Sequence, residues 1–271
     1  MTIKRALNLA KQNLDSIEAR VLICYILNKN NTYIIANIND EISEKEEQEL
    51  LKALEKIKNG CPIQYITHHQ EFMGLDFEVN ENVLIPQPDT EVLVENAIKI
   101  VLDKYNNKEV KILDLCTGSG AIAISLKKYL PNAKVYASDI SKKALDVARI
   151  NAEKNSVKIN FIHSNMFENI KDKFDIIVTN PPYIRTNEIA KLSKNVQAEP
   201  KLALDGGEDG LKFYKIIAKE VIKYLNNDGT LLMEIGFDQG KNVTELFKGS
   251  ICIKDYANND RVVIWNHSQE K

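Results

Sequence analysis

Two patterns of apolar residues divide the chain. From Met1 to about Gly60 they recur at the three-and-four spacing of amphipathic helices. Asp15 and Glu18 have the spacing of a capping box, and Ala19, Leu22, Ile23, Ile26 and Leu27 then share one face. Ser43 and Glu46 repeat the device ahead of Leu50, Ala53, Leu54 and Ile57, with Gly60 to end the helix and Pro62 to stop it. The pattern predicts a small helical domain over residues 1–60.

From Cys61 the pattern changes. Gln64-Tyr65-Ile66-Thr67 with Glu71-Phe72, and then Leu75 to Val79, flank Met73-Gly74 in the manner of a hairpin. The prolines of Leu84-Ile85-Pro86-Gln87-Pro88-Asp89 enforce an extended path. Asp89 or Thr90 is placed to cap a helix running through Val92, Leu93, Ala97 and Ile100. Residues 61–90 read as a β-hairpin connector between the helical domain and an α/β domain over residues 91–271.

In that last part short apolar runs alternate with helical stretches. Strands are predicted at Val110–Leu115, Ala133–Asp139, Asn160–His163, Phe174–Thr179 and Thr230–Ile235. Helices are predicted from Lys142 to Lys154, from about Gly210 to Leu225 and from Gln239 to Phe247. Ile251–Lys254 and Arg261–Trp265, joined through Asn258-Asn259-Asp260, suit an antiparallel hairpin at a sheet edge. Such alternation is that of an α/β fold with a mostly parallel sheet.

Composition narrows the partners. The 271 residues carry a formal net charge of −2, with 27 % charged residues, so no global basic field draws in nucleic acid. Asp40, Glu41, Glu44, Glu46, Glu47 and Glu49 make the helical domain acidic, which speaks against a nucleic-acid recognition module there. No apolar run is long enough to cross a membrane, and the first residues lack the core of a signal peptide, so a cytoplasmic protein is expected. Cys24, Cys61, Cys116 and Cys252 are far apart and read as reduced, mostly buried thiols. His68-His69 reads as a hairpin position, and no metal site is expected.

Candidate chemistry lies at the strand ends, where open α/β sheets bind their ligands. Cys116-Thr117-Gly118-Ser119-Gly120 leaves the first strand of the α/β domain and turns into a helix; its glycines permit a tight turn and close backbone approach of a ligand. Asp139 ends the next strand, about 20 residues on, where an acid binds a ribose hydroxyl pair. Asn180-Pro181-Pro182-Tyr183 follows the apolar run Phe174–Thr179. Two prolines remove two backbone donors, leaving the Asn180 side-chain oxygen and the Pro181 carbonyl as a stiff cup of acceptors with the Tyr183 ring beside it. Such a cup suits a planar amino group with two N–H bonds to place.

A glycine loop with an acid fits either a dinucleotide or S-adenosylmethionine. With Asn180-Pro181-Pro182-Tyr183 added, the chain resembles the class I, seven-stranded S-adenosylmethionine-dependent methyltransferases that modify planar amino groups. The resemblance sharpens at Pro62-Ile63-Gln64-Tyr65-Ile66, Glu71-Phe72-Met73-Gly74-Leu75, Leu84 to Glu91 and Glu199 to Leu211. Together these are similar to the peptide chain release factor glutamine methyltransferase (PrmC/HemK) family, in a match running from Glu18-Ala19-Arg20 to Arg261-Val262-Val263. The resemblance implies N5-methylation of the glutamine in the Gly-Gly-Gln loop of class 1 release factors, with the N-terminal helical domain helping to hold the factor. It implies a Rossmann-like fold, S-adenosylmethionine at Cys116, Thr117, Gly118, Ser119, Gly120, Asp139, Met166 and Asn180, the substrate amide at Asn180, Pro181, Pro182 and Tyr183, and Asn180 and Tyr183 as the catalytic pair. No direct nucleic-acid partner is implied.

Two positions depart from the family pattern. Gln87 stands where arginine is usual, and Asn165-Met166 stands where aspartate and often a large residue are usual. Asn165 can still accept from an adenine amino group and Met166 can cover the ring, so cofactor affinity is the property these departures touch. Other readings stay open on the residues alone: a nucleic-acid adenine methyltransferase, whose flipped base offers the same amino group, or an enzyme acting on a ribosomal-protein glutamine. A non-catalytic binder fits poorly with an intact glycine loop and an intact Asn180-Pro181-Pro182-Tyr183.

Overall fold

Both capping boxes form. In a computed structural model describing residues 1–105 and 108–270, Asp15 Oδ1 accepts from the amides of Ile17 and Glu18 at 2.7 and 2.8 Å. The Ser43 amide donates to Glu46 Oε2 at 2.7 Å, and the Glu46 amide donates to Ser43 Oγ at 3.3 Å. These caps open α2 (Ser16–Leu27) and α4 (Glu44–Lys58), which with α1 (Ile3–Ala10) and α3 (Asn31–Ala36) enclose one apolar core. Ala19, Leu22, Ile23, Leu50, Ala53, Leu54 and Ile57 all lie in it, as their spacing predicts.

Gln64–Thr67 is not an arm of the hairpin but belongs to α5 (Ile63–Thr67). Pro62 stands at its N-cap, His68 ends it in the left-handed region at φ 53°, and Thr67 Oγ1 donates back to the Ile63 carbonyl at 3.2 Å. Ile63, Tyr65 and Thr67 are the buried positions, and a single helical turn that buries alternate residues has the sequence pattern of a strand. Met1–His68 forms one compact unit with the returning segment Leu192–Ala198.

The second unit comprises His69–Lys191 and Glu199–Lys271; residues 106, 107 and 271 of the expected 91–271 domain lie outside the described residues. It opens on the hairpin β1 (Gln70–Phe72) and β2 (Leu75–Phe77), turning at Met73-Gly74, both with positive φ. Then α6 (Glu91–Tyr105) leads into β3 (Lys111–Leu115), α7 (Ala121–Tyr129), β4 (Lys134–Asp139), α8 (Lys142–Lys154), β5 (Asn160–His163) and β6 (Phe174–Thr179). The helix Lys212–Glu220 precedes β7 (Leu225–Glu234), and the helix Gly240–Leu246 precedes β8 (Ile251–Lys254) and β9 (Asp260–Asn266). The seven-stranded sheet has the order β5-β4-β3-β6-β7-β9-β8. All pairs from β5 to β7 are parallel; β9 runs antiparallel between β7 and β8, so the C-terminal hairpin sits at the sheet edge with its second strand inward.

Adjacent strand residues bury opposite faces. Ile112, Ile176, Val178, Leu232 and Val262 pack under α6 and α7 with Leu93, Ala97, Ala123 and Leu126. Leu113, Ile177, Leu231, Met233 and Val263 pack on the other side with Tyr214, Ile217 and Val243. Burial on both faces is why these strands read as continuous apolar runs. Boundaries differ most around one helix and the strand after it, the helix ending at Glu220 and not at Leu225. The helix expected from Gly210 begins at Lys212, because Gly207 and Gly210 have φ of 89° and 73°, outside any right-handed helix. β7 begins at Leu225 and not at Thr230; its pairing with β6 shifts register between Phe174 and Ile176, and the polar residues Asn226, Asn227 and Asp228 hide its first half.

The extended run before α6 is held by polar side chains. A turn of 3₁₀ helix at Pro88–Thr90 leads into α6, and Asp89 pairs with Arg261 at 2.9 Å instead of capping. Arg261, itself buried, also bonds the buried Asp255 at 2.9 Å. Buried Glu199 accepts from the Ile85 amide at 2.9 Å. Burial pushes the Glu199 carboxyl up to about 7, against the pull of that amide. The folded chain therefore keeps a proton that the unfolded chain releases near the ordinary carboxylate value of about 4.3. The contribution of this group to stability falls as pH rises from about 4 to about 7. Glu199→Gln keeps an acceptor for Ile85 and removes the ionisation. Thermal denaturation at pH 5 and at pH 8 should show a smaller loss of stability across that interval than in the wild type; an unchanged loss would mean that Glu199 is ionised throughout.

Candidate active site

Strand register builds the site. Leu115, the last residue of β3, lies opposite Ser138 of β4 on one side and Thr179 of β6 on the other. Cys116 and Asn180, just past β3 and β6, and Asp139, the last residue of β4, therefore emerge side by side at one edge of the sheet. Lateral bonds tie these ends together. The Thr117 amide donates to the Ser138 carbonyl at 2.9 Å, Thr179 Oγ1 to the Leu115 carbonyl at 2.6 Å, and the Ser164 amide to the Asp139 carbonyl at 2.9 Å.

The glycine loop is moored from below. Asp114 is fully buried in β3, and its Oδ2 accepts from Thr117 Oγ1 at 2.5 Å and from the Ala123 amide at 3.1 Å. Burial pushes this carboxyl up to about 7, although both donors pull the other way. Gly120 takes φ 83° to start α7 against Ala148; a Cβ there would meet the Ala148 methyl at 3.0 Å. Gly118 also has positive φ, and a Cβ there would meet nothing within 4 Å. Its amide donates to Asp139 Oδ2 at 2.8 Å, while Asp139 Oδ1 accepts from the Ser141 amide at 2.8 Å. Burial raises the Asp139 carboxyl and these amides pull it back. Each oxygen keeps a lone pair for a further donor. Cys116 Sγ lies 3.8 Å from Met166 Sδ, and burial followed by Asp139 and Asp114 pushes its thiol up.

Across the edge, Asn180 Nδ2 donates to Thr90 Oγ1 at 3.3 Å, and no described group donates to Asn180 Oδ1. Pro181 and Pro182 are buried. The Tyr183 hydroxyl turns inward to Glu234 Oε1 at 3.4 Å; burial and then Glu234 raise the phenol. The Tyr183 carbonyl accepts from Gln239 Nε2 at 3.0 Å. A Cβ on Gly206 would lie 2.7 Å from the Tyr183 backbone, so only glycine lets the 205–210 loop close over this turn.

Between the two loops lies a cavity of about 430 Å³. Of the sequence-predicted residues, Cys116, Thr117, Gly118, Ser119, Asp139, Met166, Asn180 and Pro182 line it, as do both departures, Gln87 and Asn165. Gly120, Pro181 and Tyr183 are not on its wall: the first packs against α8 and the last against Glu234. Sequence reading passed over Thr90, Ile140, Leu202, Lys212, Phe213 and Ile216 as site residues, and these line it as well. Phe213 and Ile216 sit on an amphipathic helix, where apolar spacing signals core and nothing separates a cavity wall from it. Among the described residues no group of His, Cys, Asp and Glu could hold a metal ion. None of the four cysteines is in a disulfide, and each is only half-buried. Among the described residues no helix is long and apolar enough to cross a membrane.

Comparison with known proteins agrees with this architecture. A family profile described as the PrmC N-terminal domain matches residues 2–67, and one described as the methyltransferase small domain matches residues 90–211. A methyltransferase structure from Pyrococcus furiosus, 17 % identical, superposes with a TM-score of 0.53 over 83 % of this chain and 99 % of that one, which shows a shared fold. A bifunctional methyltransferase of Rickettsia felis is 40 % identical across 98 % of this chain, and the chain spans 58 % of its length. The release factor glutamine methyltransferase of Clostridium acetobutylicum is 41 % identical over 91 % of this chain and 90 % of its own. The chain belongs to the release factor glutamine methyltransferase family.

Proposed function

We propose that this protein transfers a methyl group from S-adenosylmethionine to the side-chain amide N5 of the glutamine in the Gly-Gly-Gln loop of class 1 peptide chain release factors, in the cytoplasm. The observation that carries the reading is the pairing of Asn180 Oδ1, without a protein donor, with the glycine loop across one cavity. The name shared by the full-length relatives supports the choice of substrate. The helical unit, which carries no cavity-lining residue, is assigned to holding the release factor.

The residues present fit the cofactor. Asp139 retains acceptor capacity toward the cavity for a ribose hydroxyl pair. Gly118 leaves open space where any side chain would intrude. Met166, Ile140 and Phe213 supply apolar wall for an adenine ring, and Asn165 Oδ1 an acceptor for its amino group. When bound, S-adenosylmethionine supplies a methyl group on a sulfonium, a strong electrophile that needs no activation.

The protein's task is placement. An amide nitrogen is a poor nucleophile because its lone pair is delocalised into the carbonyl. Asn180 Oδ1 and the Pro181 carbonyl accept the two N–H bonds of the glutamine amide, orienting the nitrogen and stabilising positive charge as it develops there. Tyr183 has its hydroxyl committed to Glu234 and lies off the cavity wall, so its contribution is to fix the turn that carries Asn180. No histidine or lysine lies within the acceptor turn to act as a general base, and the proton leaves to water after transfer.

Two outcomes are expected. Labelled cofactor offered with release factor, with a ribosomal glutamine substrate and with DNA should label the release factor, and peptide mapping should place the added methyl on its Gly-Gly-Gln glutamine; label on DNA or only on the ribosomal substrate would contradict the reading. Asp139→Ala should weaken cofactor binding more than tenfold in calorimetric titration, since hydrogen bonds to a charged group contribute roughly 1.5–3 kcal/mol. Unchanged affinity in a folded variant would remove Asp139 from the site.

A further inference from the structure

Asn180 is useful only one way round. Its amide has one acceptor and one two-proton donor, and a rotation of the group exchanges them. With oxygen toward the cavity it accepts from a substrate amino group; with nitrogen there it repels one. Something must set the orientation, and the amide nitrogen already has a partner in Thr90.

We propose that Thr90 and Glu234 are positioning residues that lock the Asn180 amide with its oxygen toward the substrate. This rests on the acceptor role given to Asn180 above. Thr90 Oγ1 receives the Asn180 amide nitrogen at 3.3 Å. Thr90 is buried, at 6 % exposure, and borders the same cavity. A hydroxyl can accept from Asn180 only while its own proton goes elsewhere, and the carboxyl of Glu234 lies beside the Thr90 side chain to take it. Glu234 ends β7, the strand next to β6, at 2 % exposure. The Tyr183 hydroxyl donates to its Oε1 at 3.4 Å, and its Oε2 is buried with no hydrogen-bond partner among the described residues, an acceptor left open beside Thr90.

Asn180 donates to Thr90 and Tyr183 donates to Glu234, and the open Oε2 of the same carboxyl is the acceptor assigned to the Thr90 proton. Every donor points at an acceptor-rich end, and reversing the Asn180 amide would set its oxygen against a hydroxyl oxygen whose proton is already committed. The charges facing Glu234 from the neighbouring elements are Arg261 of β9 and Asp89 before α6, and these two pair with each other at 2.9 Å. The same carboxyl therefore fixes both polar members of the acceptor turn, the Asn180 amide through Thr90 and the Tyr183 phenol directly.

Thr90→Val, which keeps the shape and removes the hydroxyl, is the test, with Thr90→Ser as the conservative partner. Methyl transfer to release factor is measured at saturating cofactor, together with the KM for cofactor and the melting temperature. Thr90→Val should lower kcat about tenfold or more, the loss of one oriented hydrogen bond, with the KM for cofactor unchanged. Thr90→Ser should restore most of the rate. Glu234→Gln, whose amide nitrogen can donate to Thr90 and reverse the chain of bonds, should lower kcat likewise while its melting temperature shows it folded. A wild-type kcat in Thr90→Val, alongside an active wild-type enzyme, would overturn the positioning role and leave the acceptor reading standing. Equal losses in Thr90→Val and Thr90→Ser would overturn it as well, since a packing defect and not the hydroxyl would be responsible. No transfer by the wild type would remove the reading beneath it and this inference together.

Discussion

The parallel register of β3 against β6 is the constraint on which the rest depends. Leu115 opposite Thr179, fastened by the Thr179 hydroxyl on the Leu115 carbonyl, makes Cys116 and Asn180 neighbours. One loop then presents backbone amides and an open glycine, and the other presents acceptors, across a single cavity. A slip of one residue would turn every β6 side chain to the opposite face. Both faces are apolar, so the pattern of burial alone would resist such a slip weakly. The polar fastenings at the strand ends, Thr179, Thr117 and Ser164, define the register where the site needs it.

Beneath this edge the protein buries carboxyls. Asp114 moors the glycine loop, Glu199 holds the strand-like run that includes Ile85, and Glu234 lies under Asn180 and Tyr183. In each, loss of solvent pushes the proton affinity up to about 7, and fixed donors oppose it. These groups stand as hydrogen-bonding pegs rather than as ion-pair partners. The exception is Arg261, whose guanidinium joins Asp89 to Asp255 and so pins the residue before Thr90 to β9. Buried pairs of this kind gain geometry more dependably than stability.

Much of the fold was legible because its signals are local. Capping boxes, apolar runs buried on both faces and the Asn258-Asn259-Asp260 turn each specify an element from a few adjacent residues. Gln64–Thr67 misled because one helical turn and a strand share the same alternation over so short a stretch. The start of β7 was hidden by Asn226, Asn227 and Asp228, polar residues in a strand whose apolar half comes later. In the site, the glycine loop, Asp139 and Asn180 carry compact motifs. Thr90 lies in the Leu84–Glu91 run but reads there as a helix cap, and Glu234 reads as strand: they reach Asn180 and Tyr183 from 90 and 51 residues away, and only the folded chain brings them there. Phe213 and Ile216 were equally silent, since a cavity wall and a core have the same apolar spacing.

The central claim is that catalysis here is acceptance by Asn180 of a substrate N–H bond that strengthens as the nitrogen becomes positive. The direct measurement is single-turnover methyl transfer to release factor by Asn180→Ala, with cofactor saturating so that binding does not enter. Loss of one preorganised hydrogen-bond partner should slow the chemical step by on the order of 10²–10³ while the cofactor still binds. A rate equal to that of the wild type would contradict the account.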